Sequence, residues 1–317
     1  MPKKRSRRTK QKNTRLFSYA LLLINVVCWG ALLPIIKPSL NVTTPFRYLF
    51  YRFVLASILV IPVLIYYWPK VKNKAKNILM ICGIELIGTT LTLSLLYFGL
   101  RVTSALEASI LVTTFPIFIT IAGICCLKEK EERHEWIGLG IAFLCTVLLT
   151  AIPLLKSSHL PSSVSLIGNI LIIGQNIFNA IYFILGKKYY HNLPKLFVTS
   201  ISFYLGAVSF FLLSLTEVHF STQALWQAAQ IDSQSPLVWL AVIYAAIFGS
   251  IIGLTTMIKG QDGIEVSEAG LFGYLQPLVF IPLSVWWLRE SFTWTQFLLL
   301  LGVIFGVYIS ERRFKTH

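Results

Sequence analysis

Charged side chains are scarce in this sequence, and four of them interrupt runs that are otherwise apolar: Arg52, Glu85, Glu107 and Glu268. An ionisable group in such a run must pair, bind a charged ligand, or take up and release a proton. Counted from Asn77 at about 1.5 Å per residue, Glu85 lies about 12 Å along its helix, near the middle of a hydrocarbon layer about 30 Å thick. That is beyond the first turn, where a cap or the helix dipole would account for a carboxylate. Glu85 therefore reads as a proton-coupling group, as the counter-ion of a cationic ligand, or as a neutral acid hydrogen-bonded to Thr89 or a neighbouring helix. Arg52, about 9 Å in from Phe46, and Glu107, about 6 Å in from Thr103, sit at matching depths and are expected to pair; otherwise Arg52 snorkels to the interface. Capping competes for the other two acids. Ser104-x-x-Glu107 is a capping box, and Glu265 and Glu268 fall in a first helical turn.

Neutral polar residues recur at helical spacing in four apolar runs: Asn169, Asn176, Asn179, Phe183 and Lys187; Ser18, Asn25 and Trp29; Glu85, Thr89 and Thr92; Ser104, Glu107, Leu111 and Thr114. Hydrocarbon cannot solvate such groups, so each stripe should face a bundle interior or a wet cavity. Together they suggest an amide-rich, aromatic-edged site, with Asn25, Asn176, Asn179 and Gln276 as hydrogen-bonding groups and Trp29, Tyr182 and Tyr274 as aromatic faces. The plainer alternative is helix-to-helix hydrogen bonding, worth about 0.6 kcal/mol per pair.

The elements that must position these residues follow from composition. The 317 residues are 56% hydrophobic and 13% charged, against about a quarter charged in soluble domains. Apolar runs and polar breaks predict an all-α membrane protein with spans near 16–36, 47–68, 77–99, 103–127, 135–153, 164–186, 195–216, 236–258, 265–288 and 294–311. The formal charge of +15 would suggest nucleic acid in a soluble chain, but here its placement is topogenic. Eight cations lie in residues 1–15, directly before the first span. With the amino terminus inside, 22 Lys and Arg fall on the cytoplasmic side and five outside, so both termini are expected in the cytoplasm. The first run exceeds a signal-peptide core of about 7–15 residues and should stay attached. The outer segment 217–235 has no Lys or Arg.

Cys28, Cys82, Cys125, Cys126 and Cys145 fall in apolar runs without metal-ligand spacing and read as small buried residues. The five histidines lie in loops or the tail, and no catalytic, metal-binding or phosphate-cradling pattern is present, so neither an enzyme nor a cofactor is expected. Gly138-x-Gly140 and Gly302 with Gly306 read as close helix packing.

Self-comparison shows a repeat. Glu107-Ala108, Pro116 and Leu127-Lys128-Glu129 recur at an offset of 161 as Glu268-Ala269, Pro277 and Leu288-Arg289-Glu290. Five spans separate the copies, and an odd number inverts the second in the membrane, the architecture of many secondary transporters. Glu85 maps onto Ala246 at this offset, so symmetry does not require it. Pro116 and Pro277 are expected to kink equivalent spans.

These residues, with Trp29-Gly30, Arg52-Phe53 and Ala56, Tyr97 before Thr103-Ser104-Ala105, and Tyr182 with Gly186-Lys187-Lys188, resemble the ten-helix EamA type of the drug/metabolite transporter superfamily. The resemblance covers residues 16–311 and implies a basic tail (1–15), a first five-helix repeat (16–153), a linker (154–163), an inverted second repeat (164–311) and a short tail (312–317). It implies a plasma-membrane or bacterial inner-membrane carrier of small metabolites, often outward, working by alternating access. An amino acid, a nucleoside-like compound or an amphiphile suits the amides and rings, with the lipid bilayer as surroundings and protons as a candidate coupling ion. A phosphorylated sugar does not suit them, for want of clustered intramembrane cations. The rival class is a non-transporting multi-pass protein, a sensor or lipid-modifying scaffold, which the short loops disfavour.

Overall fold

The computed structural model describes residues 2–102, 111–112, 114–128, 133–156, 163–287 and 293–311. Glu107, the Ser104 capping box, Arg289 and the carboxyl-terminal tail lie outside these residues. The described chain is helical throughout, with no strand. Six helical spans are long and apolar enough to cross a membrane: Arg15–Asn41, Lys74–Val102, Ile167–Tyr189, Lys195–Glu217, Pro236–Asp262 and Glu268–Trp287. A seventh is the pair Pro45–Leu59 and Ile61–Lys70, bent by 51°. The bend falls just before Pro62, which has no N–H and crowds the carbonyl one turn back. Shorter apolar helices cover Ile117–Leu127 and Phe297–Ser310, and Arg133–Lys156 forms a further helix.

Two elements depart from the expected outline. The first helix starts at Pro2, inside the basic tail, although the apolar span begins near Arg15. Segment 217–235 is largely a helix, Thr222–Ser233, whose Ser221 hydroxyl accepts from the Ala224 amide at the amino-terminal cap.

The exterior is apolar, with Leu16, Ile170, Leu212 and Leu298 all more than half exposed, as a lipid-facing surface requires. Cys125 and Cys126 belong to that exterior rather than to the interior expected for them, whereas Cys28 is buried. The interior holds two large apolar clusters. One gathers Leu22, Ile81, Ile119, Tyr190 and Phe197; the other gathers Tyr48, Leu49, Phe53, Phe203, Phe210 and Val242. Helices Arg133–Lys156 and Trp294–Glu311 meet through small residues. A Cβ added to Gly138 would lie 2.4 Å from the Ser310 amide nitrogen, and one on Gly306 2.6 Å from the Ala142 nitrogen. Packing is thus the role of Gly138, Gly302 and Gly306, while Gly140 has nothing within 4 Å.

Charged contacts close the two ends. At one end, Arg15 and the Tyr19 hydroxyl both bond Glu268, Lys195 pairs with Asp262 at 2.9 Å, and Lys187 donates to the Ile264 carbonyl. At the other end, Thr43, just before helix Pro45–Leu59, and Arg47 and Tyr51, one turn apart within it, all donate to buried Asp232 at 2.7–2.8 Å.

Candidate functional site

The chain leaves α-helical geometry where the two halves face each other. Residues Leu86–Leu91 and Ala245–Leu254 wind as π-helix, a local widening that is frequent at functional sites. At the 161-residue offset, 86–91 corresponds to 247–252, inside the second π segment, so the two irregularities are repeat-equivalent. The prolines mark a second equivalent pair. The chain turns at Thr114 before helix Phe115–Ala122, and a 3₁₀ segment, Phe272–Leu275, precedes helix Pro277–Trp287.

Between these four irregular stretches lies a cavity of about 200 Å³. Its wall includes Asn25, Trp29, Arg52, Thr89, Thr92 and Phe115 from the amino-terminal half, and Asn176, Asn179, Tyr182, Phe183, Ser250 and Gln276 from the carboxyl-terminal half. Most of the expected binding residues are thereby brought together. Tyr274 is not among them: it is fully buried against Leu139, Ala142 and Val303, away from this wall. It lies two residues from Gln276, and the 3₁₀ turn between them sends the two side chains in different directions.

The polar groups on the wall fall into two kinds. Asn25 and Trp29 are engaged by the protein itself. Asn25 Nδ2 donates to the Gly253 carbonyl at 2.9 Å and Trp29 Nε1 to the Gly249 carbonyl at 3.0 Å. Four residues apart on one helix, they pin successive turns of the π segment, so their donors are structural and only the remaining surface can meet a ligand. Asn176 Nδ2 is likewise engaged, donating to the Leu111 carbonyl at 2.5 Å and to Thr114 Oγ1 at 2.9 Å, at the turn before Pro116. Asn176 Oδ1 and Gln175 Oε1, however, are buried without a hydrogen-bond partner. Asn179 and Gln276 line the cavity, and their side chains make no hydrogen bond among the described residues.

Glu85 sits behind the wall, fully buried. Its Oε2 accepts from Thr89 Oγ1 at 2.6 Å and Ser202 Oγ at 2.7 Å, and its Oε1 accepts from Tyr182 and Tyr190 hydroxyls at 3.1 Å each. Gly88 makes this possible. A Cβ there would lie 2.0 Å from the Tyr182 ring, so glycine lets the tyrosine cross the Lys74–Val102 span and reach the carboxylate. Of these partners the sequence pointed only to Thr89; Ser202 and Tyr190 stand on distant segments and carry no periodic signal.

Arg52 does not snorkel: it is 6% exposed and lies on the cavity wall. Its Nε donates to Ser250 Oγ at 2.8 Å, from the π segment opposite, and its guanidinium carbon lies 5.3 Å from the Phe53 ring centre. Its expected partner, Glu107, is outside the described residues, and among those described no carboxylate pairs with it. Glu268 is a charge-pairing residue, but with Arg15 at the end of the bundle rather than in the cavity. The Asn169–Lys187 stripe contributes its middle, Asn176, Asn179 and Phe183, to the wall, while Lys187 serves the end of the bundle.

A multi-pass helical bundle with a polar-edged cavity between two repeat-related halves is the construction of a membrane carrier. Comparison with known proteins agrees: the EamA-like transporter family matches at residues 16–151 and again at 166–311, and the chain belongs to that family. It is similar to the uncharacterized transporter YetK of Bacillus subtilis (strain 168), with 26% identity over 82% of this chain and 76% of that one. An uncharacterized transporter of Archaeoglobus fulgidus is 24% identical over 93% of this chain and 98% of that protein. A solved crystal structure at 16% identity has the same fold, with a TM-score of 0.70 over 95% of this chain and 96% of that one. The protein is therefore a multi-pass membrane transporter, and its family and relatives point to transport rather than catalysis.

Proposed function

We propose that this transporter moves a small metabolite, an amino acid, nucleoside-like compound or amphiphile, by alternating access and in the outward direction. Ten spans form two inverted five-helix repeats, 16–153 and 164–311 joined by 154–163, in a cell membrane with both termini cytoplasmic. The observation that carries this reading is the cavity whose wall draws on both halves, flanked in each by a π segment and a proline-marked break. Paired irregular stretches at equivalent positions are where the halves can rock against each other around a fixed site. Asn176, Asn179, Tyr182 and Gln276 meet the substrate, with Asn25 and Trp29 shaping the wall.

Glu85 is the proton-coupling group in this scheme. With two hydroxyls on each oxygen, the ionised carboxylate has its acceptor positions filled, so taking up a proton obliges at least one hydroxyl to turn. Two of the four, Thr89 and Tyr182, are on the cavity wall, which links protonation to the shape of the site. The ionisable groups around Glu85 are Tyr182, Tyr190 and Cys82; the cation on the wall is Arg52.

Counterflow of labelled metabolites into proteoliposomes tests the carrier. Exchange accelerated by unlabelled compound inside the vesicle is expected, and its absence across amino acids, nucleosides and amphiphiles would sink the reading. Glu85→Gln should exchange substrate but lose the response to an imposed pH gradient. Reporter fusions should place 128–134 inside and 289–293 outside; both on one side would remove the inverted repeat.

A further inference from the structure

We propose that the transported metabolite is an organic carboxylate with an apolar body, and that Arg52 is the residue that binds its carboxylate. This deepens the carrier reading and rests on it. A guanidinium remains charged at any physiological pH, and holding it away from water demands a partner. Among the described residues Arg52 makes one side-chain hydrogen bond, to a neutral group. Nε is bonded to Ser250 Oγ, whereas Nη1 is buried with no partner, so most of its five donors are uncommitted.

Glu107 lies outside the described residues, and the acids among those described are engaged elsewhere. Glu85 is enclosed by four hydroxyls, Glu268 is held by Arg15, Asp232 by Arg47, and Asp262 by Lys195. Arg52 is thus a buried cation on a cavity wall whose own structure supplies no anion among the described residues. Next to it the Tyr97 hydroxyl, also on the wall and buried, makes no hydrogen bond of normal geometry among the described residues. A bidentate carboxylate fits the guanidinium fork, and its oxygens can also accept from Tyr97.

The rest of the wall selects among anions. Among the described residues Arg52 is the one cation lining the cavity, which matches a single negative charge and leaves a phosphate dianion short of partners. Phe53, Phe203 and Phe183 make the neighbouring surface apolar and aromatic. The unpaired oxygens of Asn176 and Gln175 add places for ligand N–H groups, but these are secondary to the carboxylate anchor.

The test is thermal stabilisation of the purified, detergent-solubilised full chain, because a compound that binds only the folded state raises its melting temperature. The probes are matched pairs: L-phenylalanine and L-leucine against their amides, and 3-phenylpropionate and 4-methylpentanoate against theirs. At least one acid should stabilise at millimolar concentration, with its amide weaker by more than about tenfold. Arg52→Gln should abolish the difference between acid and amide, and Arg52→Lys, which keeps the charge without the fork, should retain part of it. Tyr97→Phe removes the other donor offered to that carboxylate and should weaken the acid more than its amide, so the test survives if the Arg52 variants fold poorly. Amides equal to acids, acids equally effective on folded Arg52→Gln, or no stabilising acid would each overturn the assignment. Counterflow of the stabilising acid separates the two readings: binding through Arg52 without exchange defeats the carrier but not the site, and exchange independent of Arg52 defeats the site but not the carrier.

Discussion

Glu85 and Arg52 are both buried charges in one bundle, and the protein treats them oppositely. The carboxylate receives four hydroxyl groups, three from spans and one from Tyr190 just past a span's end; the guanidinium bonds one serine oxygen and keeps a nitrogen unpaired among the described residues. A buried charge is tolerated to the extent that its surroundings are already arranged for it. Glu85 has surroundings complete in the protein alone, so its removal should be felt as a loss of stability. Arg52 has surroundings completed from the cavity side, so its removal should be felt in what the cavity holds.

The contrast is broken or sharpened by five substitutions, read as the apparent free energy of unfolding in detergent. Glu85→Ala, which leaves four hydroxyls facing an empty space, should cost about 3 kcal/mol; a loss under about 1 kcal/mol would mean that the network is not the structural unit described. Tyr182→Phe removes one hydroxyl from the carboxylate and should cost about 1.5 kcal/mol, in the range for a hydrogen bond to a charged group. Combined with Ser202→Ala, its cost should depart from additivity, since both act on one carboxylate. Ser250→Ala should cost only about 1 kcal/mol, because it removes one neutral hydrogen bond while the guanidinium stays on the cavity wall. A cost as large as that of Glu85→Ala would make Arg52 another internally satisfied charge and erase the contrast. Smallest is Trp29→Phe, which gives up the bond to the Gly249 carbonyl and should cost about 0.6 kcal/mol with substrate affinity unchanged. A large fall in affinity in this last case would return the Trp29 indole N–H to the ligand.

Much of this arrangement is legible in the residues. The stripe Asn176, Asn179, Phe183 reaches the cavity wall as its helical spacing required, because period alone sets which face a helical residue occupies. Pro116 and Pro277 mark equivalent breaks because each lacks the N–H that would continue the helix behind it. Arg47 and Tyr51, one turn apart, could have been paired in advance as donors to a single acid, but the acid itself, Asp232, lies on the far side of the chain. Tyr274 and Gln276 were indistinguishable in sequence, and a short 3₁₀ turn separated their destinations.

The sequence by itself therefore determined that the chain is a helical membrane bundle, that its halves are repeats, and which face of each helix is polar, since these follow from composition and from local period. Tertiary structure alone decided which polar groups are used up. Asn25 and Trp29 spend their donors on carbonyls about 220 residues away, Glu85 closes its shell with hydroxyls from two distant helices, and Arg52 is left open toward the cavity. A hydrogen bond is a property of two atoms brought within about 3 Å, and the approach of distant helices is set by side-chain packing along their whole length, which no local pattern encodes.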